Sequence, residues 1–198
     1  MTLEQPFRIL TVCTGNICRS PMAERLLQAG LDDVSPGEFE VRSAGTHAMV
    51  GWDMAPQVQG LVHVLGGNTD DFEARLLTPQ ILQGQDLVLA MTREHRSAVV
   101  AMAPALLRRT FTLREFARIL PHVRPVGTTT AEGWGSILLP AARLRSRVMA
   151  NPEEDNVIDP YRRDEEVYQE MMHQLAPAVQ RIVAWAQKSL RSSPAFPH

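Results

Sequence analysis

Cysteine is scarce in this chain of 198 residues, which has two, Cys13 and Cys18. A secreted fold stapled by disulfides would need more, so a reduced, cytoplasmic chain is expected. An excess of one charge is missing as well. Twenty Lys and Arg stand against 22 Asp and Glu, for a formal net charge of −2. No basic excess argues for a nucleic-acid partner, and no acidic excess for disorder. Long apolar runs are also lacking. Leu87 to Met91 and Ile137 to Ala142 are far too short to span a bilayer, so no membrane is expected as a partner. "MTLEQPFRILTV" has no basic start, apolar core and small-residue cleavage site in sequence, and so shows no secretory signal. Cys13 and Cys18 have no nearby histidines, so no metal site and no cofactor are expected.

What is present suits one domain. The chain is 44% apolar, enough over this length for a well-covered core. "FRILTV" (7–12), "FEVRSAG" (39–45) and "DLVLAM" (86–91) read as strands. Between and after them, helical patterns run from Ser20, as N-cap, to Gly30, over 55–64, from Thr78-Pro79, over 93–102, and from a Thr112 cap with Glu115 three residues on. Further helices are expected over 136–149 and 164–190, and a polar loop over 151–161. Strand alternating with helix predicts an α/β fold with a parallel sheet and right-handed crossovers. Residues 1–190 are expected to form the domain, with an extra helical and loop segment near 110–155 and a frayed tail at 191–198.

The stretch "VCTGNICRSPMAE" (12–24) concentrates chemistry on one turn between a strand and a helix. If Cys13 ends the strand and the helix opens at Ser20, the backbone N–H groups of Thr14, Gly15, Asn16, Ile17, Cys18 and Arg19 can curl into an anion nest. Gly15 permits a positive φ and Asn16 tolerates one. The Arg19 fork can grip two phosphate oxygens. Cys13 lies at the bottom of this positive bowl, which favours its thiolate, a nucleophile for phosphoryl transfer. Cys18 reads both as a small buried hydrophobe and as a partner that could trap oxidised Cys13 in a disulfide.

A thiolate that displaces an alkoxide or phenoxide needs a proton donor. Most acidic residues lie on solvated helix faces. Asp159, in "VIDPYRRDEEVY", sits instead between apolar residues and a stiffening proline. Tyr161 beside it can form the wall of a slot for an aromatic ring.

The Cys turn followed far downstream by "DPY" resembles the low-molecular-weight protein tyrosine phosphatases. "VRSAGT" (41–46), "FEARLLT" (72–78) and "DLVLAMTREHR" (86–96) look like further segments of that family. The resemblance implies a three-layer α/β/α fold with a four-stranded parallel sheet and a metal-free, two-step reaction. In it Cys13 attacks phosphorus, Asp159 protonates the leaving group and Arg19 binds phosphate. Ser20 would donate to the thiolate, Asn16 would hold the loop backbone with help from Ser43, and Tyr161 would flank the substrate ring. Met49 and Trp52 are candidates for the cleft rim. The implied partner is a phosphotyrosine-containing protein, with a bacterial tyrosine kinase as one candidate, and the chain is expected to be a monomer. Many members have a histidine where this chain has Phe72, so the support of Asn16 must differ here. The added segment could shape substrate access or be a surface helix and loop, and Arg143, Arg145 and Arg147 read as a solvated face.

Arsenate reductases share the fold but relay a disulfide to further cysteines, which this chain lacks outside the loop. Protein-arginine phosphatases tend to carry threonine where this chain has Ile17. Ile17 and Tyr161 together favour a flat aromatic substrate. A catalytically inactive phosphotyrosine-binding module is a third alternative, against which Cys13, Arg19 and Asp159 all speak.

Overall fold

A computed structural model describes residues 5–191. Phe7–Cys13 (β1), Phe39–Gly45 (β2), Leu87–Ala90 (β3) and Thr110–Thr112 (β4) form one parallel sheet in the order β2-β1-β3-β4. β1 and β3 are central, and their near-continuous apolar runs suit strands covered on both faces. Side chains alternate between two cores. Ile9, Val41, Leu87, Leu89 and Phe111 pack on one face, under Arg19–Val34 (α1), Pro56–Val64 (α2), Leu113–Ile119 (α5), Thr130–Leu144 (α6) and Glu165–Arg191 (α7). Leu10, Val12, Ala44 and Val88 pack on the other, against Pro79–Leu82 (α3) and Arg93–Met102 (α4). This is the three-layer α/β/α arrangement that the family resemblance implied. The strand order reverses between β1 and β3, so the crevice beyond their carboxyl ends is where a ligand is expected.

Threonine hydroxyls start four helices. Thr78, Thr92, Thr112 and Thr129 accept from the backbone N–H of Ile81, His95, Glu115 and Glu132. The Thr112–Glu115 pair closes a full capping box, as its spacing predicted. The Thr129 cap starts α6 at Thr130, six residues before the expected start, and the helix ends at Leu144 rather than 149.

α1 departs from expectation at both ends. It begins at Arg19 with Cys18 as N-cap and no side-chain cap, so Ser20 is not the cap. It also runs through Gly30 to Val34. Gly30 lies under α7, where a Cβ would stand 2.6 Å from Val183 Cγ2, so this glycine serves helix packing rather than termination.

The segment near 110–155 is not a surface addition. It supplies β4, α5 and α6, and buries Phe111, Phe116, Ile119, Trp134 and Ile137. The Trp134 ring packs on Phe7 and Phe39, the first residues of β1 and β2. α6 therefore covers the end of the sheet opposite Cys13 and does not shape access to it. Arg143 and Arg147 are exposed, but Arg145 is not a solvated residue. Its guanidinium lies 4.7 Å from the Phe111 ring centroid and its Nε 2.8 Å from Glu115 Oε1. The expected tail lies, beyond Arg191, outside the described residues. Among the described residues no helix is long and apolar enough to cross a membrane.

Candidate active site

The anion turn joins β1 to α1 at the strand-order reversal. Its carbonyls are stitched outward by the segment after β2. Thr46, His47, Met49 and Ala55 donate their N–H groups to the carbonyls of Cys13, Thr14, Gly15 and Ile17 at 2.9–3.0 Å. In a trans peptide the N–H points opposite to the C=O. The N–H groups of Thr14, Gly15, Asn16 and Cys18 therefore turn inward. The Asn16 N–H shows the direction, since it reaches Cys13 Sγ at 3.3 Å. The first helical bond of α1 runs from Met22 to Cys18, so the N–H groups of Arg19 and Ser20 have no acceptor within the helix. The bowl is lined by donors, as an anion requires.

The positive φ falls on Asn16, at 55°, and not on Gly15. The asparagine amide bonds on both sides hold it there. Asn16 Nδ2 donates to Ser20 Oγ at 3.0 Å and to Ser43 Oγ at 2.8 Å, while Oδ1 accepts from the Arg75 N–H at 2.8 Å. Arg75 thus completes the asparagine amide, while Phe72 is buried with the Arg25 guanidinium 5.7 Å from its ring centroid. Because Ser20 Oγ accepts from Asn16, its own proton is free for Cys13 Sγ, 3.0 Å away. The Ser43 hydroxyl in turn donates a hydrogen bond to Glu24 Oε2. Burial raises the Glu24 pKa, opposed first by this hydrogen bond and then by Arg25. Glu24 was missed in the sequence, although it lies four residues after Ser20 on the same helix face. Gly45 was also missed. A Cβ there would stand 2.3 Å from the Thr14 carbonyl oxygen, so only glycine lets β2 pass this close to the loop.

Arg19 is 4% exposed. Its Nη2 lies 2.7 Å from Asp159 Oδ2, and Nη1 donates to the Val157 carbonyl at 3.3 Å. Its Nε is buried with no hydrogen-bond partner among the described residues. Such an orphaned donor on a guanidinium at the rim of the bowl fits an anion. The loop bearing Asp159 is docked on the sheet. Val157 N–H bonds the Met91 carbonyl, the Arg93 N–H bonds Asn156 Oδ1, and Arg114 bonds the Asn156 carbonyl. Asp159 Oδ1 accepts from the Tyr161 N–H, so "DPY" is a side-chain-closed turn.

The structure therefore brings Cys13, Arg19 and Asp159 to one crevice. Of the other candidates, Ile17 and Cys18 are buried, Met49 is half-buried near Gly15, and Tyr161 and Trp52 are exposed. Burial pushes the Cys18 thiol up to about 12, with the nearby Cys13 and Asp159 adding to it, so Cys18 stays protonated. The described residues include no cluster of three or more His, Cys, Asp or Glu suited to a metal.

Residues 8–123 match the family model described as low molecular weight phosphotyrosine protein phosphatase. The chain is 39% identical over 102 residues to the low molecular weight protein-tyrosine-phosphatase Etp of Escherichia coli K12. That match covers 52% of this chain and 66% of Etp, just under two thirds of its length. It is 38% identical over 111 residues to a protein-arginine-phosphatase of Geobacillus stearothermophilus, covering 56% of this chain and 72% of that protein. The solved structure of the YwlE arginine phosphatase from the same organism superposes with a TM-score of 0.68 at 26% identity, over 97% of this chain and 100% of that one.

Proposed function

The chain belongs to the low molecular weight phosphotyrosine protein phosphatase family, and on that premise we propose that it hydrolyses phosphotyrosine through a phosphocysteine intermediate. The observation that carries this reading is the convergence of Cys13 Sγ with its Ser20 partner, the inward N–H groups, and Arg19 paired to Asp159. In the first step Cys13 Sγ attacks phosphorus, the bond to the phenol oxygen breaks, and Asp159 gives that oxygen its proton. In the second step Asp159 takes a proton from water, water oxygen bonds phosphorus, and the thiolate leaves. Arg19 and the loop amides hold the equatorial oxygens throughout. Ser20 steadies the thiolate, and Asn16 and Ser43 hold the loop in shape.

Tyr161, Met49 and Trp52 are proposed as walls for the ring. Cys18 is proposed as the disulfide partner of oxidised Cys13, and a reducing cytoplasm as the working compartment. A bacterial tyrosine kinase is a candidate partner, and the chain is taken as a monomer of one domain. The arginine-phosphatase relatives favour a second reading, phosphoarginine as substrate. Against it stands Ile17, whose side chain faces Gly15 and leaves no hydroxyl at that position.

The test is hydrolysis, in EDTA, of phosphotyrosine, phosphoserine and phosphoarginine peptides side by side, with Cys13→Ser as the blank. Release from phosphotyrosine alone is expected. Preference for phosphoarginine would keep the chemistry and overturn the ring pocket. Turnover by Cys13→Ser would remove the nucleophile assignment. No release from any peptide would favour a binding module, or arsenate reduction through Cys13 and Cys18.

A further inference from the structure

His95 is buried in the crevice between β1 and β3, yet the reaction above gives it no part. Both ring nitrogens are engaged by threonines. Nε2 lies 2.8 Å from Thr14 Oγ1, and Nδ1 lies 2.9 Å from Thr92 Oγ1. Thr92 Oγ1 also accepts the His95 N–H as the cap of α4. The side chain at the helix start after the neighbouring strand, β3, thus reaches 81 residues back to the first residue after Cys13. Thr14 is the exposed member of an otherwise mostly buried loop, at the mouth of the bowl.

We propose that His95 is a positioning residue that holds the Thr14 hydroxyl as a further hydrogen-bond donor to the substrate's phosphate; this rests on the phosphatase reading. The proton count supports it. If Thr92 donates its hydroxyl proton to Nδ1, Nε2 carries the ring proton and donates to Thr14 Oγ1. The Thr14 proton is then free to turn toward the bowl. In the other tautomer Thr14 spends its proton on Nε2 and offers an anion only lone pairs. A bound oxyanion therefore selects the first arrangement. The ring stays neutral and able to make either choice, because burial, and then the Arg19 charge, push its pKa down to about 4. The Arg19 contribution also places the ring within electrostatic reach of the phosphate-binding guanidinium.

The experiment is calorimetric titration with inorganic phosphate, alongside kcat and KM on aryl phosphates of differing leaving group. Thr14→Val and His95→Ala should each weaken phosphate about tenfold, as loss of a hydrogen bond to a charged group does. The double variant should be no weaker than either single one. His95→Gln, whose amide can donate near the Nε2 position, should recover most of the affinity. The loss in kcat/KM should be the same for good and poor leaving groups. Thr14 is exposed, so Thr14→Val carries the test even if His95→Ala folds poorly. Unchanged phosphate affinity in Thr14→Val, or singles that multiply to about a hundredfold in the double variant, would overturn the proposal. Wild-type protein that neither binds phosphate nor hydrolyses any ester would instead overturn the phosphatase reading beneath it.

Discussion

At the scale of single residues, the 2.7 Å contact between Arg19 and Asp159 joins the two groups that the proposed reaction assigns to phosphate binding and to acid catalysis. In that reaction a phosphate entering the bowl would compete with the carboxylate for the same guanidinium and leave Asp159 near the departing oxygen. Asp159→Ala should slow aryl phosphates with poor leaving groups by about 10²–10⁴-fold and barely affect activated ones. Wild-type speed on phosphotyrosine would move the acid elsewhere. Asp155 is a poor substitute, since it is buried against Arg118 at 2.8 Å, and Asp164 is exposed. His95 gives a separate signal in acid. Its pKa is about 4 when folded, against 6.5 ordinarily, so the folded state binds that proton more weakly than the unfolded chain. The stabilisation is complete above pH 6.5 and is lost as pH falls toward 4, by up to about 3 kcal/mol. Urea unfolding of wild type and His95→Gln at pH 7 and pH 4.5 should show the wild type losing more. Parallel losses would place the acid sensitivity on another group.

At the scale of elements, the anion loop is shaped by what passes beside it. β2 supplies Ser43 to the Asn16 amide and Gly45 to the close approach, and the segment after it turns four loop carbonyls outward. Gly45→Ala would drive a methyl into the Thr14 carbonyl, where backbone cannot rotate away as a side chain can. Expected are a loss of about 1–3 kcal/mol in stability and a fall of about a hundredfold in kcat/KM, measured by melting and aryl phosphate turnover. Wild-type values for both would mean the loop can yield. Elements of this kind explain what could be read from the chain. The Thr112 cap is a local pattern and stands where its spacing put it, while the turn after Cys13 enters its helix at Arg19, one residue before the Ser20 that its pattern suggested. Gly30 was misread because a helix–helix contact with Val183 looks, locally, the same as a stop signal. Arg75, Gly45 and the His95 contact stayed hidden because their partners lie 59, 31 and 81 residues away.

At the scale of the whole molecule, two networks hold the site to the rest. Glu115 closes the α5 cap and also binds Arg96 and Arg145, joining α4, α5 and the end of α6. Glu115 is 2% exposed, so Glu115→Ala would lose the cap and leave two half-buried arginines without their carboxylate. A loss of about 3–5 kcal/mol is expected in urea unfolding, and a loss under 1 kcal/mol would show the arginines free to find water. The acid loop has its own anchors, on Met91, Arg93, Arg114 and, through the Ile158 N–H, on Gln174 of α7. Its position is therefore set by bonds at residues 156–158, immediately before Asp159, rather than by the longer connection that leads to it. The exposed bend at 126–128 lies in that connection, between a buried Val123 and the Thr129 cap. Lengthening a surface loop costs little, growing only with the logarithm of its length. That bend is where a fluorescent reporter or an affinity handle can be spliced into the chain while Cys13 and Asp159 keep their spacing.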